Sequence, residues 1–195
     1  MTFVLSASPP AAFDFLALPG RGNSNADHWM SHWCCALPNS SRVLQKDWHK
    51  PDPADWIGRL HTAIDAAPRS IVILAHSLAV ATTVKWAAGA SAAQHRKVAA
   101  AFLVSATNVE DPDPSFDSVR PFAPMPMTKL PFPAQLVASR NDPRVSWERA
   151  MECAQAWGAD FADAGELGHM GNEARLGMWP QGLLLLGRLL EKAGI

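Results

Sequence analysis

Ser77 stands where a side-chain hydroxyl could act as a nucleophile. The apolar run Ile71-Val72-Ile73-Leu74-Ala75 precedes it, and an Ala-rich stretch from Leu78 to Ala90 follows at once. A β-branched run, a tight turn and a helix place the serine at the apex of the turn, the geometry of a nucleophile elbow. The usual elbow has glycine two residues either side of the serine, because strand and helix backbones pass close together there. Here Ala75 and Ala79 take those places. Alanine obstructs least among the alternatives, so the departure weakens the motif without abolishing it, although at position 79 it could tighten the turn and displace Ser77.

A serine hydroxyl is a weak nucleophile near neutral pH, so it needs a histidine to accept its proton and an acid to orient that histidine. Downstream of Ser77 the chain offers His95 and His169. His95 sits between Gln94 and Arg96 in a polar linker and reads as a surface residue. His169 lies in Gly165-Glu166-Leu167-Gly168-His169-Met170-Gly171-Asn172, a Gly-rich turn after the last expected strand. This makes it the candidate base. For the acid, Asp142 in Ser139-Arg140-Asn141-Asp142-Pro143 follows a strand, and Pro143 keeps it out of helical conformation. Arg144 could instead draw Asp142 into a surface ion pair. Asp111, Asp113, Asp163 and Glu166 compete for the role, and position favours Asp142.

A tetrahedral intermediate needs backbone N–H donors for its oxyanion. One is expected from Leu78, at the start of the elbow helix. The other is expected from Leu18-Pro19-Gly20-Arg21-Gly22-Asn23-Ser24, from the amide of Arg21 or alternatively of Gly22. A dinucleotide loop is the weaker reading of Gly20-x-Gly22, because Asn25 stands where a third glycine is required. His28 and Trp29 follow this loop and are expected to border the substrate. His76, beside Ser77, is expected to pack behind the nucleophile, since neighbours in a tight turn point apart.

The elements that must position these groups alternate in type, which predicts an α/β fold with a mostly parallel sheet. Strands are expected at 13–18, 42–45, 70–75, 98–104, 134–138 and 159–162. Helices are expected at 26–36 with Asn25 as N-cap, at 53–67 with Asp52 as cap, and at 78–90, 145–157 and 179–193. The segment 105–133 carries seven prolines together with Phe116, Phe122, Met125, Met127 and Phe132. It reads as a long loop whose apolar residues form a partial lid. In an open parallel sheet, ligands bind beyond the carboxyl ends of the strands, and the candidate residues all follow strands.

The 195 residues suit a single domain, with residues 1–12 expected to be loosely ordered. At 48% hydrophobic and 18% charged, the chain can bury an ordinary core. A formal charge of −1 without a basic cluster gives nucleic-acid or anionic-membrane binding no electrostatic support. The cysteines Cys34, Cys35 and Cys153 form no disulfide framework and favour a reducing, cytoplasmic setting. Neither a metal-ligand spacing nor an apolar run of membrane length is present, so no metal and no cofactor is expected. Eight tryptophans and no tyrosine are mostly explained as core packing with the indole N–H satisfied at an edge.

Taken together, the chain resembles the small serine hydrolases that include retinoblastoma-binding protein 9 and the bacterial YdeN-like esterases. The resemblance is carried by Leu18-Pro19-Gly20 with Asn23-Ser24 and His28-Trp29, and by Gln45-Lys46-Asp47-Trp48 with Pro53 and Asp55-Trp56. It continues in Ala75-His76-Ser77-Leu78, Asn141-Asp142-Pro143 with Val145, Gly168-His169, and Gly177-Met178-Trp179-Pro180-Gln181-Gly182. It implies a minimal α/β-hydrolase, a three-layer sandwich without the two leading antiparallel strands or a large cap domain. It also implies Ser77, Asp142 and His169 as a catalytic triad. Ala79 and the Met170-Gly171-Asn172 run depart from the family pattern. The resulting expectation is a serine hydrolase that cleaves small esters or other acyl substrates through an acyl-enzyme, with a small-molecule acyl compound as its partner. The alternative is a catalytically weak binding protein that keeps the fold.

Overall fold

The computed structural model describes residues 13–195; the expectation for residues 1–12 lies outside the described residues. Six strands form one sheet: β1 (Phe13–Leu18), β2 (Ser40–Arg42), β3 (Ser70–His76), β4 (Val98–Val104), β5 (Ala134–Ala138) and β6 (Asp160–Asp163). Their order is β2-β1-β3-β4-β5-β6 and every pairing is parallel. Between them run helices α1 (Trp29–Ala36), α2 (Pro53–Ala66), α3 (Leu78–Gly89), α4 (Ala92–His95), α5 (Trp147–Trp157) and α6 (Pro180–Ala193).

Alternation along each central strand divides the core in two. On one face of the sheet Leu16, Leu18, Ile71, Ile73 and Leu103 pack against Trp56, Leu60 and Ile64 of α2, Val80 and Val84 of α3, and Trp157 of α5. On the other, Phe15, Ala17, Val72, Leu74 and Phe102 pack against Trp29 and Trp33 of α1 and Leu186 and Leu189 of α6. Helices therefore cover both faces, which gives the three-layer sandwich expected from the alternation of elements.

Helix α4 is not among the expected elements, α5 begins two residues later and β6 one residue later than expected, and two elements need a physical correction. The first helix starts three residues later than expected, because the His28 ring, not Asn25, caps it: Nδ1 accepts the Met30 N–H at 3.1 Å. The second strand is Ser40–Arg42, because its ladder with β1 ends at Arg42 opposite Ala17, and the Val43 N–H makes the closing bond to the Ala17 carbonyl at 2.9 Å. The expected lid is revised as well. Phe116, Phe122, Met125 and Phe132 of segment 105–133 are buried in the core beside α2 and α3 and extend that core.

The strand order places the site. β2 lies to one side of β1 and β3 to the other, so the loops leaving β1 and β3 diverge from adjacent carboxyl ends. In register, Leu18 of β1 sits opposite Ala75 of β3. Two residues further on, the two chains bring Gly20 against Ser77.

Candidate active site

Ser77 sits between β3 and α3 with φ 59° and ψ −124°, a backbone conformation that costs a non-glycine residue about 1–3 kcal/mol. The surrounding structure holds it there: the Ser77 N–H donates to the Val104 carbonyl at 3.0 Å, tying the elbow to the end of β4. Ala79 is buried in the core on the first turn of α3. The turn accommodates its methyl group, and Ser77 is not displaced. Its Oγ lies 2.7 Å from His169 Nε2.

His169 Nδ1 faces Asp142, with Oδ1 at 2.8 Å and Oδ2 at 3.0 Å. The Asp142 side chain is wholly buried, whereas that of His169 is 20% exposed. The carboxylate is thus shielded while the imidazole is partly open to solvent. Asp142 Oδ1 also accepts the Arg144 N–H at 2.8 Å. The Arg144 guanidinium does not form the anticipated ion pair but turns to Ser115 and lies over the Phe116 ring. Of the competing acids, Asp163 pairs with Arg140, while Asp111 and Asp113 accept backbone amides within their own loop.

The loop bearing His169 is held from several directions. Leu167 and Gly168 donate backbone N–H groups to Ser139 Oγ and Asn141 Oδ1 at 2.8 and 2.7 Å, which fastens it to the loop carrying Asp142. The His76 ring donates from Nε2 to the His169 carbonyl at 2.9 Å. Trp29 Nε1 donates to the Met170 carbonyl at 3.0 Å. Burial first, and then the neighbouring rings of His169 and His28, hold the His76 pKa well below the ordinary histidine value. Burial first, then Arg42 and His169, lowers that of His28 to about 4. Both rings are therefore neutral at pH 7 and serve as hydrogen-bonding and packing groups.

That burial also revises the expected substrate contacts. His28 and Trp29 are 2% and 0% exposed, so they stand behind the site and touch no reactant. They brace α1 and the His169 loop against His76, with ring centroids 5.0 Å apart for His28 and His76.

Both expected oxyanion donors remain available, and the alternative to the second is removed. Leu78 is the first residue of α3, so its N–H has no intrahelical acceptor and is free to point at a ligand. In the loop after β1, the Gly22 N–H is already given to the Trp48 carbonyl at 2.8 Å, which removes it as the alternative donor. Among the described residues the Arg21 amide makes no such bond. Gly20 brings this loop into contact with the nucleophile: a Cβ placed on it would lie 2.6 Å from Ser77 Cβ. Sequence reasoning missed Thr107, whose Oγ1 lies 3.0 Å from Ser77 Oγ. Its place just past the expected fourth strand was the one signal in the sequence, and that alone does not point to Ser77. Among the described residues no group of three or more His, Cys, Asp or Glu is placed to hold a metal ion.

A hydroxyl, an imidazole and a shielded carboxylate in one hydrogen-bonded chain, at the end of a parallel sheet, define an α/β-hydrolase-type protein. The chain belongs to the serine hydrolase family, whose pattern matches residues 15–188. Among solved structures it is similar to a YdeN-like hydrolase from Pectobacterium atrosepticum, with 26% identity and a TM-score of 0.81 over 93% of this chain and 92% of that one. It is also similar to the ydeN gene product of B. subtilis, with 16% identity and a TM-score of 0.74 over 93% of this chain and all of that one. Est1E from Butyrivibrio proteoclasticus shares the fold at 11% identity and a TM-score of 0.67, covering 93% of this chain and 90% of that one. No curated protein matches the chain. No helix among the described residues is long and apolar enough to cross a membrane.

Proposed function

We propose that the protein hydrolyses small esters or related acyl compounds through an acyl-enzyme on Ser77. The observation that carries this reading is the unbroken chain from Ser77 Oγ to His169 Nε2, 2.7 Å, and from His169 Nδ1 to Asp142, 2.8 Å. His169 takes the serine proton as Oγ attacks the acyl carbon, then gives it to the leaving group. Asp142 keeps the proton of the neutral ring on Nδ1, so that Nε2 presents its lone pair to the serine. The amides of Leu78 and Arg21 receive the oxyanion. The second half-reaction repeats these roles with water. The free state of Cys34, Cys35 and Cys153 supports a reducing, cytoplasmic setting.

The test is covalent labelling by a fluorophosphonate probe, with wild type beside Ser77→Ala and His169→Ala. The expected result is rapid labelling of wild type and none of the two variants, followed by turnover of p-nitrophenyl acetate by wild type alone. Folded wild-type protein that takes up no label would refute the proposal.

A further inference from the structure

Ser77 Oγ has two hydroxyl-range partners, His169 Nε2 at 2.7 Å and Thr107 Oγ1 at 3.0 Å, and a proton count decides who donates to whom. Neutral His169 carries its proton on Nδ1, against Asp142, so Nε2 can only accept. The single Ser77 proton therefore goes to His169, and the bond to Thr107 can exist only if Thr107 donates into an Oγ lone pair. Thr107 is 2% exposed, so this bond forms out of competition with bulk water.

The backbone around Thr107 is fixed to β5 and to the loop that follows it, which carries Asp142. The Ser105 N–H donates to the Val137 carbonyl at 2.9 Å, at the end of β5. The Asn108 N–H donates to the Arg144 carbonyl at 2.9 Å, while the Arg144 N–H donates to Asp142. Thr107 is thereby held in register with the acid, and its hydroxyl is aimed at the nucleophile.

We propose that Thr107 is a catalytic residue that favours release of the acyl group, by stabilising Ser77 Oγ as the leaving oxygen of deacylation. The proposal rests on the acyl-enzyme reading above. In acylation the Oγ–C bond forms, the carbonyl π pair moves to oxygen and the serine proton passes to His169. Collapse then re-forms the carbonyl and expels the leaving group, which takes that proton. In deacylation, water adds to the acyl carbon and gives a proton to His169. The C–Oγ bond breaks, its electron pair stays on Oγ and the proton returns there from His169. Thr107 keeps its own proton throughout. Its hydrogen bond is strong to a hydroxyl or alkoxide-like Oγ. It is weak to the ester oxygen of the acyl-enzyme, whose lone pair is delocalised into the carbonyl. The bond is thus lost on acylation and recovered as Oγ departs, and removing it should retain the acyl group about fivefold longer.

The experiment is rapid acid quench of p-nitrophenyl acetate turnover, with the acylated fraction read by intact mass. Wild type, Thr107→Val, Thr107→Ala, Thr107→Ser and Ser77→Ala are compared, with melting temperatures measured alongside. The expected result is that Thr107→Val and Thr107→Ala slow deacylation about fivefold, slow acylation less, and accumulate acyl-enzyme. Thr107→Ser restores the hydroxyl and most of the lost rate. A wild-type partition in both hydroxyl-free variants, or an equal loss in both rate constants, would overturn the proposal while leaving Ser77 as nucleophile. A wild type that carries no acyl group dependent on Ser77 overturns the acyl-enzyme reading and this proposal with it.

Discussion

Gly20→Ala is the sharpest test of how this site is assembled. The added methyl group would lie 2.6 Å from Ser77 Cβ, 3.0 Å from Ser77 Oγ and 3.0 Å from the His76 carbonyl. Carbon atoms in contact rest at about 3.5–4.0 Å, so the β1 loop and the elbow must part by roughly 1 Å. The elbow is anchored to β4 through the Ser77 N–H bond, and the loop to Trp48 through the Gly22 N–H bond. Whichever side yields, Ser77 Oγ moves off His169 or the Arg21 amide moves off the oxyanion position. A misplacement near 1 Å costs on the order of 10²-fold in rate, and overpacking costs about 1–3 kcal/mol in stability.

The assay is the second-order rate of fluorophosphonate labelling beside a thermal melt. Gly22→Ala is the control. Its φ of +83° makes an alanine strained, yet nothing lies within 4 Å of the added methyl. It should therefore lose about 1–2 kcal/mol of stability and label within a fewfold of wild type. If Gly20→Ala labels as fast as wild type, the β1 loop does not abut the nucleophile as described, and the assignment of Arg21 as donor fails with it.

Three further outcomes follow from the same geometry. Asp142→Asn should keep the fold but lower the acylation rate about 10³–10⁴-fold, because the amide no longer fixes the His169 tautomer; a loss under tenfold in labelling rate would remove Asp142 from the site. His28 is held neutral in the folded state, with its pKa lowered from 6.5 to about 4. The unfolded chain therefore binds the extra proton first, and stability falls as pH drops from about 6.5 to 4, by at most about 3 kcal/mol. His28→Asn, which retains a capping acceptor, should lessen that slope in denaturant titrations and leave the part due to His76, and an unchanged slope would refute the assignment. Trp29→Phe leaves the buried Met170 carbonyl without its donor; the expected loss is about 1–3 kcal/mol by chemical denaturation, with a lower labelling rate as the His169 loop loosens. A Trp29→Phe protein as stable as wild type would show that the indole bond does not hold that loop.

The three members of the hydrogen-bonded chain were legible in the sequence because each is marked by local chemistry. Ser77 lies between a β-branched run and an Ala-rich helix, Asp142 is held out of helix by Pro143, and His169 sits in a Gly-rich turn. Strands β1, β4 and β5 were legible to the residue, since apolar runs bounded by turn residues leave little choice of register. What surrounds the reacting groups was not legible, because it depends on contacts between segments far apart in the chain. His28 resembles a site residue by position, but it is removed from the site by burial and by capping α1. Gly22 reads as the alternative to Arg21 as donor, until Trp48 takes its amide. Phe116 and Phe122 are apolar whether they cover a site or extend a core, and the packing of α2 and α3 decides for the core. Thr107 carries no local mark, since a lone threonine after a strand is ordinary. It reaches Ser77 because β4 lies beside β3, an adjacency that the folded sheet establishes across 30 residues of chain.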